Sequence, residues 1–326
     1  MKNKQELYKV LKNGLGFLFF LTVLLLTFEK GLAWLVRQSD SGKTGKINLI
    51  MAHKIDPEIL FMGSSVAEVG FNPKLISQQL NKSTYNAAID GTTIIQSQFV
   101  INEFLSYSQN CEEIVIGLAF FSFGDKDSMT EPSRYLAHFS NKYTKRTIRN
   151  ISPNLYYKLQ YVPFYSFTQV KHTYYKNAVL GLKNIISGKQ LQADKLNGFM
   201  PHNTPWNGER IDSTQFGNST APLSELTIAD YGDIISQIKQ QGIEPILVIT
   251  PMFINGQKLF RNYDKYIKTV EDLALRNQIK LYDFSKSAIV NDAANFYNNG
   301  HLNSNGSHLF SSQVADSLEY LSPNNQ

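Results

Sequence analysis

A chain of 326 residues, 42% hydrophobic and 18% charged, has the balance of a folded protein and the length for one large domain or two ordinary ones. That balance excludes a disordered chain, and the single cysteine, Cys111, excludes an internal disulfide framework. The net charge of +5 is unevenly distributed.

Residues 1–13 hold Lys2, Lys4, Lys9 and Lys12 against Glu6 alone. Fifteen uncharged residues follow, Gly14 to Phe28, and after Glu29-Lys30 the apolar pattern resumes as far as Val36. As a helix, 14–36 extends roughly 35 Å, enough for a bilayer core of about 30 Å, with Trp34 as an interfacial aromatic residue. A cleaved signal peptide has the same charged start and apolar core, but no small-x-small cleavage site follows. The expectation is an uncleaved anchor over 14–36 behind a cytoplasmic tail over 1–13. That makes a single-pass protein of a bacterial inner (cytoplasmic) membrane, with its main domain periplasmic or extracellular. Residues 37–58, polar and containing Gly42 and Gly45, read as a tether and entry segment.

A βα alternation begins at Ile59. Four apolar residues, Ile59 to Met62, run into Gly63-Ser64-Ser65, and helix-compatible Val66-Ala67-Glu68 follow. This predicts a buried strand delivering a serine to the top of a sheet, where the free N–H groups of a helix start favour negative charge. In isolation, such a Gly-Ser-Ser is more often an ordinary turn with an N-cap. A helix over 73–80, a strand over 84–89, a helix over 93–107 and a strand over 113–118 come next. After a break at about 125–222, a helix (224–241), a strand (245–251), a helix (263–277), a strand (280–284) and a closing helix (306–321) complete the pattern. The alternation implies an α/β domain over 59–326, a parallel sheet with helices on both faces and an insertion at about 125–222. Its site lies at the C-terminal ends of the strands.

From Pro132 to Ala193 the insertion has no Asp or Glu, but ten Lys or Arg residues and eight tyrosines. Such a surface suits an anionic partner, an envelope glycopolymer or anionic lipid, through residues such as Lys142, Lys145, Arg146, Arg149 and Lys158. Nucleic acid would suit the same charge, but the expected topology argues against it. The plainer reading is a pair of amphipathic helices with a solvated basic face.

Of the six histidines, His301 stands in a polar loop after Phe296-Tyr297 and before the closing helix. A histidine beyond the last strand can reach a serine beyond the first, take its proton and return it, while a third group holds the ring tautomer.

Together these pieces resemble the SGNH (GDSL-like) hydrolase superfamily of esterases and acyltransferases, which has a flavodoxin-like α/β fold. Gly63-Ser64-Ser65 matches its first block and makes Ser65 the nucleophile. Asn86-Ala87-Ala88-Ile89-Asp90-Gly91 matches the second and makes Gly91 N–H an oxyanion donor beside Ser65 N–H. His301 matches the histidine of the last block. The Thr250-Pro251 strand end recurs in the branch tethered outside bacterial membranes, which includes the teichoic acid D-alanyl transfer protein and the alginate O-acetylation proteins. The resemblance covers roughly 59–125 and 223–322 and implies a polytopic membrane-bound O-acyltransferase as partner.

Two departures stand out. The family's aspartate three residues before the histidine is Asn298 here, so Asn298 holds the ring itself or Asp292 or Asp90 supplies a carboxylate from elsewhere. The third block lacks its asparagine, and Ser122 is the nearest substitute donor. No metal-ligand set and no cofactor motif is visible. The sequence thus leads to a serine acyltransferase or esterase acting on an envelope glycan by O-acyl, O-acetyl or D-alanyl transfer. The alternative is an impaired scaffold or glycan-binding subunit of a membrane complex.

Overall fold

The strands of the sheet are short apolar runs because both of their faces are covered. The computed structural model describes residues 2–125, 129–208 and 211–319. In it β1 (Ile59–Gly63), β2 (Thr84–Asn86), β3 (Glu113–Leu118), β4 (Glu244–Ile249) and β5 (Lys280–Asp283) form one sheet in the order β2-β1-β3-β4-β5, every neighbouring pair parallel. Side chains alternate along each strand. Leu60, Met62, Ile114, Ile116, Leu247 and Ile249 face a core shared with α2 (Gly42–Met51), α5 (Gln98–Leu105), α9 (Glu225–Gln240) and α11 (Tyr263–Asn277). Ile59, Phe61, Val115, Ile246 and Val248 face the second core, built with α3 (Ser65–Gly70), α4 (Pro73–Leu80) and α12 (Ser304–Glu319). This is the α/β class expected from the sequence.

Several boundaries differ, and the helix expected over 93–107 covers only Gln98–Leu105. β2 stops at Asn86 because that side chain turns the chain: its Nδ2 donates to Ala67 O at 2.9 Å and Phe71 O at 2.8 Å, and its Oδ1 accepts from Ala88 N at 3.0 Å. The closing helix starts at Ser304, and its expected end at Leu321 lies outside the described residues.

Helix α1 (Lys2–Arg37) is unbroken, and its stretch Lys4–Arg37 is long and apolar enough to cross a membrane, as an anchor or a signal sequence would be. Large apolar side chains from Leu7 to Phe28 are exposed. In the last turns Trp34 is exposed as well, but Val36 is buried, and Leu32 and Leu35 pack with it against Leu136, Ala137, Tyr174 and Ala178. Arg37 Nη1 donates to Ala137 O at 2.7 Å. The expected 14–36 span therefore overlaps the folded domain at its C-terminal end.

The tether expected over 37–58 is likewise corrected, because 42–51 is α2, with Ile47, Leu49 and Ile50 in the core. Its polar residues look like linker in the sequence, yet their partners are internal. Buried Lys46 Nζ meets Glu68 Oε1 at 2.9 Å and Ala88 O at 2.8 Å, and Asn48 Nδ2 donates to Val36 O and Ser39 O, both at 2.7 Å.

Between β3 and α9 the insertion folds into α6 (Lys142–Ile151), α7 (Pro153–Tyr161) and α8 (His172–Ile186), with single turns between them. A Cβ on Gly181 of α8 would stand 1.8 Å from Leu35 O, so α8 and α1 meet backbone to backbone. Helix α6 buries Thr144, Thr147 and Ile148 and exposes Lys142, Arg146 and Arg149. Lys142, Lys145, Arg149 and Lys158 lie over the rings of Tyr143, Phe139, Tyr156 and Tyr165 at 4.6, 5.5, 5.7 and 5.5 Å.

His138 ties the insertion to α2. Asn48 Nδ2 serves two carbonyls, so Asn48 Oδ1 faces the ring and accepts from His138 Nε2 at 2.7 Å. Burial, helped by the Arg37 charge, pushes the His138 pKa from 6.5 down to about 3. An unfolded chain therefore binds a proton below pH 6.5 that the folded chain refuses, and stability falls as pH drops through this window. His138→Gln keeps a donor without the titration. Between pH 6.5 and 4.5 it should spare about 2 to 3 kcal/mol of acid destabilisation in urea unfolding of the full chain, at about 1.36 kcal/mol per pH unit. Equal acid sensitivity of the two chains would remove His138 from the response.

Candidate active site

The serine is set by a tight junction. Gly63 has φ +143°, and a Cβ there would lie 2.7 Å from both Ala67 Cβ and Gly117 O, so only glycine lets β1 turn directly into α3. Ser64 is the N-cap residue and Ser65 the first residue of α3. Near the other end of the chain, β6 (Phe296–Asn298) and β7 (His301–Leu302) form an antiparallel hairpin whose second strand opens with His301.

Ser65 Oγ and His301 Nε2 are 2.8 Å apart. On the far side of the ring, His301 Nδ1 lies 3.0 Å from Asn298 Oδ1, which also accepts from Gly300 N at 2.9 Å. The Gly300 N–H identifies the amide oxygen, so Nδ1 carries the ring proton and Nε2 presents its lone pair to the serine hydroxyl. Burial holds His301 below the ordinary histidine pKa; the Asp90 charge opposes this and His202 adds to it. At neutral pH the ring is a free base. Tyr297 stacks on His301 at 5.4 Å and on His202 at 3.7 Å between centroids.

Gly91 lies in the loop after β2 with φ +73°. Ile89 N donates to Gly63 O at 3.1 Å, which draws this loop beside the serine turn. Among the described residues, neither Ser65 N–H nor Gly91 N–H has an acceptor.

Asn298 itself occupies the position of the ring's third group. Asp292 does not: its carboxylate caps the turn Ala293–Asn295 by accepting from Ala294 N at 2.9 Å. Nor is Asp90 the orienter, because its carboxylate is paired with Lys43. Burial pushes the Asp90 carboxyl up, but Lys43, with Arg134 and His301, outweighs burial and holds it below the usual range. The Ser122 hydroxyl is buried, and its Oγ accepts from Ala119 N at 2.9 Å within its own turn. Lys142, Lys145, Arg146, Arg149 and Lys158 share no hydrogen bond or ring contact with Ser65, His301 or Asn298.

Two residues beside the site escape a reading of the sequence. Arg134, at the start of the insertion, donates from Nη1 to Asp90 O at 2.6 Å and lies against Gly91. Lys43 of α2 reaches the Asp90 carboxylate. Neither belongs to a motif, and only the internal position of α2 could have pointed to Lys43. Burial pushes the Cys111 thiol up to about 12, which leaves it un-ionised at neutral pH. Among the described residues, no group of three or more His, Cys, Asp or Glu side chains is arranged to hold a metal ion.

No family model and no curated protein matches this chain. Among solved structures, the chain is similar to a protein assigned as an SGNH hydrolase from Slackia heliotrinireducens, with 11% identity, 81% of this chain and 100% of the other covered, and a TM-score of 0.42. It is also similar to a protein titled as a platelet activating factor from Streptococcus pneumoniae, with 16% identity, 91% and 98% coverage, and a TM-score of 0.39.

The ring's environment sets a pH dependence. Any reaction that uses neutral His301 should lose kcat/KM on acidification through a pKa below 6.5, with the acid form inactive. Asn298→Asp adds a negative charge against Nδ1–H and should move that limb upward by about one to three pH units. A limb unmoved by the substitution would separate Asn298 from the titrating ring.

Proposed function

We propose that the protein is a serine esterase or acyltransferase in which Ser65 is the nucleophile and His301 the base and then the acid. The observation that carries this reading is the 2.8 Å contact between Ser65 Oγ and His301 Nε2, with the opposite ring nitrogen on Asn298 Oδ1. The serine proton passes to Nε2 as Oγ attacks the carbonyl of an acyl donor, and the oxyanion is held by Ser65 N–H and Gly91 N–H. Collapse expels the donor's leaving oxygen, which takes the proton from Nε2 and leaves an acyl-serine. A sugar hydroxyl, or water, then gives its proton to His301 and attacks, and Ser65 regains its hydrogen.

The acceptor we infer is a cell-envelope glycan, with α1 anchoring the chain in the cytoplasmic membrane and a polytopic membrane O-acyltransferase supplying the acyl group. The apolar length of α1 and the basic insertion support that setting. With no asparagine in the third block, two backbone donors serve the oxyanion, and one missing donor typically costs about 2.7 to 4 kcal/mol of transition-state stabilisation. A slow enzyme follows. The absence of a carboxylate at Asn298 favours a second reading, a glycan-binding scaffold with an impaired site.

Full-length protein in detergent micelles, assayed with p-nitrophenyl acetate beside Ser65→Ala, decides between the two. Turnover in the parent and only background hydrolysis in Ser65→Ala is the expected result. Equal rates would remove Ser65 from the chemistry and leave the scaffold.

A further inference from the structure

Residues 29–37 of α1 and the insertion enclose a cavity of about 400 Å³ that takes no part in the serine site. Its size falls in the range of roughly 300–1,000 Å³ typical of small-molecule sites. The wall is mainly apolar: Leu32 and Ala33 come from α1, and Leu136, Phe139, Leu159 and Phe167 from the insertion. One residue before the cavity wall, the exposed Phe28 of α1 stacks its ring on the wall residue Phe167 with centroids 6.2 Å apart.

Charge around the cavity is predominantly positive. Lys30 and Arg37 stand in the wall, and Lys145 lies over the wall residue Phe139. Glu29 is the one acidic wall residue, and its carboxylate accepts from Ser166 Oγ. Tyr157, Tyr161 and Val162 are exposed nearby on the chain that leads to this wall, a composition suited to a headgroup layer.

A ligand that matches both features has an apolar chain and an anionic head. We propose that the cavity takes one acyl chain of an anionic phospholipid from the bilayer that α1 enters, with the lipid phosphate beside Lys30 and the insertion's cations. The inference rests on α1 as an anchor and is independent of Ser65 chemistry. A lipid lodged there would join the emerging helix to the insertion.

Full-length protein in detergent micelles, titrated with phosphatidylglycerol or with phosphatidylcholine of the same chains and read by native mass spectrometry, tests it. We expect one phosphatidylglycerol retained per chain, in preference to phosphatidylcholine by roughly tenfold, since charge contacts to lipid headgroups select the anion. Ala33→Trp fills the cavity and should weaken retention by roughly tenfold, through lost methylene burial. Lys30→Gln should narrow the preference between the two lipids while retention persists. Leu15→Trp, far along α1, should change neither. Equal retention by the parent and Ala33→Trp, or no preference between the lipids, would overturn the proposal; if Ala33→Trp fails to fold, the Lys30→Gln comparison decides. Lipid retention in Ser65→Ala is expected to equal that of the parent, so failure here and failure of the esterase reading are separate results.

Discussion

The oxygen of one carboxamide, Asn298 Oδ1, receives two hydrogens at once, from Gly300 N and from the His301 ring, and the order of the candidate site follows from that double acceptance. An aspartate in this position performs two tasks in a serine triad: it selects the tautomer and supports the imidazolium with charge. Asparagine performs only the first, and only when something prevents its amide from turning; the Gly300 N–H does so here. The negative charge on Asp90 is shared with Lys43 and gives the ring partial support through space. The site is thus oriented correctly and powered weakly.

Helix α2 links this site to the rest of the molecule. Lys43 and Lys46, three residues apart and so on one helical face, reach the loop after β2 and the helix that begins at the serine: Lys43 meets Asp90, and Lys46 meets Ala88 O and Glu68 of α3. A buried pair such as Lys46–Glu68 adds little net stability, but losing one member strands a charge, which makes it a strict register for the parts it joins. Arg134 grips the same loop from the insertion side through Asp90 O. The loop bearing Gly91 is therefore held by a segment next to α1 and by the insertion, neither of which belongs to the sheet.

The sheet was legible in the sequence because its strands are buried on both faces and read as unbroken apolar runs, and Ser65 and His301 because each sits in a local pattern at a strand or loop end. Segment 37–58 was not legible, because its polar residues are satisfied by distant partners: Asn48 by Val36, Ser39 and His138, and Lys46 by Glu68. A linker and an internally bonded helix have the same composition. Nor does a serine in the right block carry any mark of its surroundings, which for Ser122 are a buried turn in which Oγ accepts from Ala119 N. Arg134 had no periodicity or motif around it.

Helix α1 passes into the domain without a break, and its final turns are locked against α8 at Gly181, where no side chain separates the two backbones. A domain on a flexible leash sweeps a hemisphere; one fused to a rigid rod moves only as the rod moves. Wherever α1 is directed, the serine keeps one fixed offset from its axis.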